Sequence, residues 1–209
     1  CASHAGLTLG EDGATHQILE DIGLMRMLPG MTVICPIDAN QTRQAVLALV
    51  DHQGPAYLRF GRPDWPVFTD AETPFVIGKA DRLGSGTDVS LFATGHMVWN
   101  AVEAAKSLEA RGVSVDVISV PTIKPLDADT ILDSFSKTHC GVVCEEHQIN
   151  GGLGDAIAHL VTQNKPYPLE FVGVNDKFGE SGKPLDLLKK YGLDAEDIVA
   201  AAHKVLKRK

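Results

Sequence analysis

The residues best suited to chemistry lie near the start of the chain, in a segment rich in glycine and titratable groups. Residues 3–17 read SHAGLTLGEDGATHQ, so His4, Asp12 and His16 bring two imidazoles and a carboxylate into one loop. The glycines between them break any helix and allow tight turns or a close approach to a ligand. Such a set of groups suits a polar substrate pocket, although an ordinary surface loop could carry the same residues without any role.

A helix is predicted over residues 16–28, with Thr15 as its N-cap and an end before Pro29. His16 would then lie at the positive end of the helix dipole, which disfavours an extra proton. A neutral imidazole there can exchange hydrogen bonds with a substrate hydroxyl or a developing oxyanion. A capping or surface histidine is the structural alternative, and Asp12 could equally be a turn former.

A candidate anion site follows the predicted strand AYLRF at residues 56–60. Arg62 comes two residues after this strand, and ligand sites of parallel α/β sheets lie at that end of the strands. A guanidinium gives phosphate a planar, bidentate grip. Arg59 is an alternative, although strand alternation directs it to a different face from Phe60. Either arginine could instead be a structural ion-pair partner.

Glu145, Glu146 and His147 are adjacent and could be mistaken for metal ligands. They lie at the end of a predicted strand, where neighbouring side chains point in opposite directions, so no metal site is predicted. The GGLG sequence that follows lacks the six-residue fingerprint of a dinucleotide loop, and close packing at a helix start explains it better. The four cysteines show no zinc spacing and are expected to be reduced cytosolic thiols.

The elements that must position these residues form two groups. Residues 1–70 contain two short predicted strands, TVICP at 32–36 and AYLRF, joined by a helix that begins near Asp38. This group is interpreted as β-α-β pieces of a parallel sheet that lacks its first strands. Residues 71–87 are predicted to be a linker with one short strand near FVIGKA.

Residues 88–209 alternate strands with helices. Four strands are predicted, at 89–93, 113–120, 142–146 and 169–174. Two helices close the chain, the last with Asp194 as its N-cap. Strands separated by helices of this length give a mainly parallel sheet covered on both faces. The predicted fold class is therefore α/β, with a partial α/β domain followed by a three-layer α/β/α domain.

Composition and charge exclude two classes of partner. The 209 residues carry a net charge of −8, and the only basic tract is the final KVLKRK. Nucleic acid and anionic membranes are therefore not expected as partners. No apolar run is long enough to span a bilayer and CASHAG does not resemble a signal peptide, so a cytoplasmic protein is expected. Since the chain does not begin with Met, we expect it to be a fragment that starts within a domain.

Several motifs, taken in order along the chain, resemble those of transketolases. They begin with GEDGATHQ and a histidine twelve residues before that of THQ. They continue as LPGMTVICPIDANQT, GPAYLRFGRP, IKPLD, EEHQINGGLGDAIA and KFGESGKPLDLLKKYGL. The resemblance covers nearly the whole chain and is closest to the C-terminal section of transketolases encoded as two polypeptides. Ala14 departs from the family pattern, where many members have proline, and Ala5 stands where single-chain members often have aspartate.

The resemblance implies a role for each group in the loop and for one arginine. The part before the linker would be the second half of a pyrimidine-binding domain, and the part after it a transketolase C-terminal domain. His16 would be the catalytic residue, at the reactive end of the sugar donor. Asp12 would bond a substrate hydroxyl and select its stereochemistry, while His4 and Arg62 would bind the phosphate.

The implied activity is transfer of a two-carbon ketol unit from a ketose phosphate to an aldose phosphate, with thiamine diphosphate and Mg²⁺. By the resemblance, the segments that anchor both precede Cys1, so no cofactor-binding or metal-binding residue is assigned in this chain. The expected partners are sugar phosphates and an N-terminal transketolase section or the remainder of the same chain. The expected assembly is a homodimer or a heterotetramer.

Three other functions stay open. 1-Deoxy-xylulose-5-phosphate synthase shares a G-x-D-G-x-T-H loop, and the β subunit of 2-oxo acid dehydrogenases also carries TIKPLD. The full GEDGATHQ with its upstream histidine, together with FGESGKPLDLL, favours transketolase over both. A non-catalytic interaction module is the alternative from another class, and self-assembly or partner binding without cofactor dependence would indicate it.

Overall fold

The computed structural model describes residues 1–209 and contains eight strands and seven α-helices. The strands are β1 (Thr32–Ile34), β2 (Ala56–Leu58), β3 (Asp81–Arg82), β4 (Val89–Ala93), β5 (Val115–Ser119), β6 (Thr122–Lys124), β7 (Gly141–Gln148) and β8 (Leu169–Val174). The helices are α1 (Asp21–Met27), α2 (Ala39–Val50), α3 (Met97–Glu109), α4 (Ala128–Thr138), α5 (Leu153–Asn164), α6 (Pro184–Tyr191) and α7 (Ala195–Leu206). None of these helices combines the length and the apolar character that crossing a membrane requires.

The larger sheet has five strands in the order β3-β5-β4-β7-β8. All neighbouring strands are parallel except β3, which runs antiparallel to β5. Side chains alternate between the two faces along β4, so Leu91 shares a core with α3 and α7 whereas Phe92 shares one with α4 and α5. Helices therefore cover both faces, which confirms the predicted α/β class and its three-layer arrangement.

A smaller sheet of three strands, in the order β2-β1-β6, holds the N-terminal part of the chain, residues 1–70. β1 and β2 are parallel, and the start of the chain extends beside β2, where Ala2 pairs with Arg59. β6 belongs to the C-terminal part, residues 88–209, and pairs antiparallel with β1. The two parts therefore share a sheet, which the local sequence patterns did not predict.

The helix predicted over residues 16–28 is wrong at its start, because α1 begins only at Asp21. The backbone just before it pairs with the glycine-rich loop instead, and the Gly6 N–H donates to the Ile18 carbonyl at 3.0 Å. His16 therefore lies in a turn and not at a helix start. The dipole argument for its neutral imidazole does not apply.

α2 begins where the sequence predicts, since the Asp38 carboxylate accepts a hydrogen bond from the Gln41 N–H at 3.0 Å. Val46 and Val50 are 46% and 75% exposed, whereas Ala45 is buried. An apolar face of α2 therefore lies on the surface of the chain.

Candidate functional site

The glycine-rich loop packs closely against the C-terminal part. After Gly6 the chain makes one short 3-10 turn, Leu7–Leu9, whose residues are all buried. Gly10 and Gly13 follow with φ of 91° and 73°, a region that residues with a side chain rarely adopt. A Cβ on Gly13 would also overlap Ser181 Oγ. The loop needs glycine at this position because both the backbone angle and the close approach exclude a side chain.

Two side chains tie the loop to its surroundings. Gln17 Nε2 donates to the carbonyls of Leu7 at 3.1 Å and Glu180 at 3.0 Å. Glu146 accepts the Thr8 N–H at 2.5 Å and the Thr8 hydroxyl at 3.2 Å. Glu146 and Glu180 both belong to the C-terminal part, so that part of the chain fixes the position of the loop.

The structure brings together two of the four predicted site residues, Asp12 and Arg62. Arg62 Nη1 donates to Asp12 Oδ2 at 2.7 Å, and the two side chains are 45–46% exposed. An exposed pair of this kind contributes at most about 1 kcal/mol to stability, so folding does not explain its placement. The pair offers an accessible guanidinium and an accessible carboxylate side by side.

His4 and His16 are also exposed, but neither is hydrogen-bonded to Asp12 or Arg62. His4 Nδ1 lies 2.8 Å from Ser3 Oγ, and its backbone has a positive φ of 66°. His16 Nδ1 lies 2.9 Å from the hydroxyl of Thr15, the residue before it. Both imidazoles are held only by an adjacent side chain, which leaves the second ring nitrogen available.

Arg59, the alternative to Arg62, is buried and structural. Its Nε donates to Asp21 Oδ2 at 2.8 Å, and its Nη2 donates to the Glu146 carbonyl at 2.9 Å. The Tyr57 hydroxyl donates to the same Asp21 oxygen at 2.8 Å. Burial is the largest single effect and acts to lower the pKa of Arg59, but Asp21 and the other acidic groups around it together raise that pKa. Of the two arginines, only Arg62 is accessible to a ligand.

Glu145, Glu146 and His147 are all buried and face different partners, as strand alternation predicts. Glu145 accepts the first N–H groups of α5, from Leu153 at 2.7 Å and Gly154 at 2.8 Å. Burial raises the pKa of Glu145 to about 7, although these N–H groups act to lower it. Glu145 therefore stabilises the start of α5, and Glu146 holds the loop.

His96 is a buried residue at the site that sequence reasoning missed. Its Nδ1 lies 3.3 Å from Thr8 Oγ1 and 3.7 Å from Glu146 Oε2. Its ring stacks on Trp65, with the centroids 4.4 Å apart. Burial, with the nearby Arg59 charge, lowers its pKa to about 4, so the imidazole is neutral near pH 7. The sequence pattern could have indicated His96 as a site residue, because it follows the carboxyl end of a parallel strand, β4.

A cavity of about 640 Å³ lies beside the Arg62 segment, at the start of α2. Its lining includes Thr42, Arg43, Asp64 and His96. A second cavity, of about 340 Å³, lies along the predicted linker, and none of the predicted site residues lines it. None of these residues lines the first cavity either, but Gly61 and Pro63, on either side of Arg62, do, and it lies at the carboxyl ends of β1 and β2.

The side chains of this chain do not fit a magnesium–diphosphate site. Mg²⁺ needs several oxygen ligands in near-octahedral geometry. No group of three or more His, Cys, Asp or Glu side chains converges on a point that could hold a metal ion. What the site can do with its own residues is bind an anion, accept a hydrogen bond from a hydroxyl and exchange hydrogen bonds through imidazoles.

Two family models together match most of the chain. The model described as the transketolase pyrimidine binding domain matches residues 1–67. The model described as the transketolase C-terminal domain matches residues 78–198.

Individual relatives match over almost the full chain. A 6-deoxy-6-sulfo-D-fructose transketolase subunit from Clostridium sp. (strain MSTE9) is 42% identical over 99% of this chain and 64% of its own length. One of the subunits of an apulose-4-phosphate transketolase from Phocaeicola vulgatus is 36% identical over 97% of this chain and 65% of its own length. Among solved structures, a split gene transketolase described as an inactive beta4 tetramer is 44% identical, with a TM-score of 0.92. That match covers 99% of this chain and 66% of the solved one. The chain thus spans slightly less than two thirds of these relatives.

Proposed function

Because this chain belongs to the transketolase family, which depends on thiamine diphosphate, we propose that it is one part of a transketolase. The complete enzyme moves a two-carbon ketol unit from a ketose phosphate to an aldose phosphate, in the cytoplasm and in the pentose phosphate pathway. Residues 1–70 and residues 88–209 are two domains joined by a linker at 71–87. This chain supplies the wall of the active site that binds the sugar phosphate.

The pairing of Asp12 with Arg62 is the observation that carries this proposal. Arg62 uses Nη1 for Asp12 Oδ2, so the rest of its guanidinium fork can bind phosphate oxygens. Asp12 Oδ1 has no hydrogen-bond partner and can accept one from a substrate hydroxyl. The ion pair can therefore bind one substrate molecule at two points. Arg62 donates to its terminal anion, and Asp12 accepts a hydrogen bond from one of its hydroxyls.

The two histidines complete the wall. His4 precedes Ala5, whose N–H donates to the Phe60 carbonyl at 3.3 Å, so His4 and Arg62 lie on neighbouring segments. We assign His4 to the phosphate with Arg62. His16 lies four residues beyond Asp12 in the same loop and is assigned to the reacting end of the donor, where it exchanges hydrogen bonds with the hydroxyl or oxyanion.

The cofactor and its Mg²⁺ are assigned to the remainder of the enzyme, since no metal-ligating cluster is present in this chain. The solved relative is described as an inactive beta4 tetramer of a split gene transketolase, which supports a need for a second kind of subunit. We infer that the complete enzyme is a heterotetramer of two sections, or a homodimer if one polypeptide carries both.

A sulfonate is a second candidate for the terminal anion. One relative is named a 6-deoxy-6-sulfo-D-fructose transketolase subunit and is 42% identical to this chain. Sulfonate and phosphate both present three oxygens to a guanidinium, but phosphate carries more charge at pH 7. Comparing fructose 6-phosphate with 6-deoxy-6-sulfofructose as donors decides which anion the Arg62 site prefers.

The proposal is tested with Arg62→Ala in the enzyme reconstituted from this chain, the complementary section, thiamine diphosphate and Mg²⁺. Losing a charge-assisted phosphate contact costs about 1.5–3 kcal/mol, or about tenfold to more than a hundredfold in kcat/KM for phosphorylated donors. Hydroxypyruvate, which has no phosphate, should be affected much less. Arg111 is an exposed arginine at the end of α3, and Arg111→Ala is the matched control. It should leave kcat/KM unchanged for both kinds of donor.

His16→Ala and Asp12→Ala separate the other roles in the same assay. His16→Ala should slow phosphorylated and unphosphorylated donors alike, because its assigned partner is common to both. Asp12→Ala should lower kcat/KM for donors that carry the recognised hydroxyl and leave it unchanged for donors without that hydroxyl. If Arg62→Ala slowed hydroxypyruvate as much as the sugar phosphates, the phosphate role of Arg62 would be wrong.

A further inference from the structure

One histidine of the C-terminal part contacts both segments that carry the proposed substrate residues. His96 follows β4, and only 11% of its side chain is exposed. The Arg62 segment contacts its ring through Gly61 and Trp65, and the turn that leads to Asp12 contacts it through Thr8. None of the roles proposed above for the substrate wall uses this residue.

On the Arg62 side, the ring is enclosed by the residues that flank the arginine. A Cβ on Gly61 would overlap Cε1 of the His96 ring, so the ring edge presses directly on the backbone there. The Trp65 indole stacks on the face of the same ring at an interplanar angle of 9°, and its Nε1 donates to the His96 carbonyl at 3.2 Å. His96 therefore holds the segment both immediately before and three residues after Arg62.

On the loop side, the same imidazole joins a buried polar cluster. His96 Nδ1 lies 3.3 Å from the hydroxyl of Thr8, which also bonds to the Glu146 carboxylate at 3.2 Å. Thr8 and Glu146 are 0% and 4% exposed. Thr8 lies in the turn just before Gly10, from which the chain continues to Asp12. Moving His96 would therefore disturb the base of the loop as well as the arginine segment.

We propose that His96 is a positioning residue that determines specificity for substrates with a terminal anion. It contacts Gly61 and Trp65 on one segment and Thr8 on the other, and so sets the separation of Arg62 from Asp12. The anion and the hydroxyl of one substrate are then recognised together. This inference rests on the proposed function of Arg62 and Asp12.

The environment of His96 supports a positioning role over direct anion binding. Arg59 and Glu146 are the charged groups around it, and burial keeps its pKa near 4, so the ring carries no charge at neutral pH. A neutral ring does not compete with Arg62 for the anion. Its stacked and hydrogen-bonded contacts instead fix the geometry of the two segments.

The kinetic test uses His96→Ala in the reconstituted enzyme. KM for fructose 6-phosphate should rise at least tenfold, whereas KM for hydroxypyruvate and both kcat values should change less than threefold. His96→Asn keeps an amide near the Nδ1 position, so it should restore part of the Thr8 contact and give a smaller rise in KM. Val161→Ala, buried in α5 away from both segments, controls for a general loss of stability and should leave the KM ratio unchanged.

A second readout needs neither cofactor nor complementary section. Exchange of the Trp65 indole N–H, which donates to the His96 carbonyl, should be at least tenfold faster in His96→Ala by NMR, and amide exchange in β7 and β8 should be unchanged. Exchange of the Trp65 indole N–H that matches the wild type, or a KM that rises equally for both donors, overturns the positioning role. If Arg62→Ala lowers kcat/KM equally for phosphorylated and unphosphorylated donors, the proposed phosphate site is wrong. The exchange result still decides whether His96 holds the segment. If His96→Ala does not fold, the same measurements on His96→Asn decide.

Discussion

Arg59 and Arg62 are three residues apart in sequence, yet their environments are opposite. The Arg59 side chain is 5% exposed and paired with Asp21, whereas that of Arg62 is 46% exposed and paired with Asp12. Sequence reasoning left both arginines as candidates, because strand alternation separates Arg59 from Phe60 but does not reveal which acid each arginine meets. The partner of Arg59 comes from α1, and that contact is set by tertiary packing.

Arg59→Ala is expected to destabilise the chain strongly. It would leave the Asp21 carboxylate buried without its partner, a change that typically costs about 3–5 kcal/mol. Arg62→Ala breaks an exposed pair and should cost at most about 1 kcal/mol. Urea denaturation of the two variants measures the difference in free energy of unfolding. Equal losses for the two variants would contradict the distinction between a structural and an accessible arginine.

The depressed pKa of His96 gives a prediction for stability against pH. In the unfolded chain this histidine takes up a proton near pH 6.5, but in the folded chain only near pH 4. Between these values the unfolded state binds more protons, so stability falls as the pH is lowered from 7 to 5. The full contribution is about 3 kcal/mol, present above pH 6.5 and lost towards pH 4, and about 2 kcal/mol of it is lost between pH 7 and pH 5.

The measurement compares wild type with His96→Asn in urea at pH 7 and pH 5. Between pH 7 and pH 5, the free energy of unfolding of the wild type should fall by about 2 kcal/mol more than that of the variant. Burial raises the pKa of the neighbouring Glu146, which acts in the opposite direction, but Glu146 is present in both proteins. A variant that loses as much stability as wild type would show that His96 titrates normally in the folded chain.

At the scale of elements, the four parallel strands of the larger sheet and most helices follow from local patterns, whereas β6 was not predicted. β4 and β8 have the predicted bounds, and α7 is capped by Asp194 as predicted, with Asp197 completing a capping box. The start of α1 does not follow, because the helical spacing of apolar residues continues back to Ile18. There the backbone is held by the carbonyl and N–H groups of the loop, a non-local pairing that outweighs the local helical preference.

Gly61→Ala tests how tightly the arginine segment packs on the C-terminal part. The added methyl group would overlap the His96 ring, and overpacking of this kind costs about 1–3 kcal/mol. In the reconstituted enzyme it should also raise KM for fructose 6-phosphate more than for hydroxypyruvate. Gly23→Ala is the matched control, because a Cβ there meets Gly151 only at 3.4 Å and lies within α1.

Stability of the two variants is measured by thermal unfolding. Alanine favours a helix over glycine by up to about 1 kcal/mol, so Gly23→Ala should be neutral or stabilising. A Gly61→Ala variant as stable as wild type, with unchanged KM values, would mean that the segment can move away from His96 at no cost.

At the scale of the whole molecule, the sequence predicted the α/β class, whereas the division into two domains stays a prediction. The sequence did not predict that β6 would pair with β1, because an antiparallel contact between segments about ninety residues apart leaves no periodic signal. The buried cluster of Thr8, His96 and Glu146 was missed for the same reason, since its members come from three distant segments. These non-local contacts join the C-terminal part to the substrate loop.

Surface composition also bears on assembly. Met27 in α1 and Val50 in α2 are 81% and 75% exposed, and Leu24 and Leu47 lie exposed on the same two helices. Apolar side chains concentrated in this way are typical of surfaces that contact other proteins. They support the proposal that this chain works together with a second component.

Ketol transfer with and without the complementary section is the most direct test of the central claim, that this chain is the substrate wall of a transketolase. The assay supplies fructose 6-phosphate, an aldose phosphate, thiamine diphosphate and Mg²⁺. This chain alone should show no transfer, and activity should appear as the complementary section is added and reach its maximum at equal amounts. Transfer by this chain alone would contradict the claim, as would a complete mixture that transfers no ketol unit but, when given pyruvate and glyceraldehyde 3-phosphate, condenses them with release of CO₂.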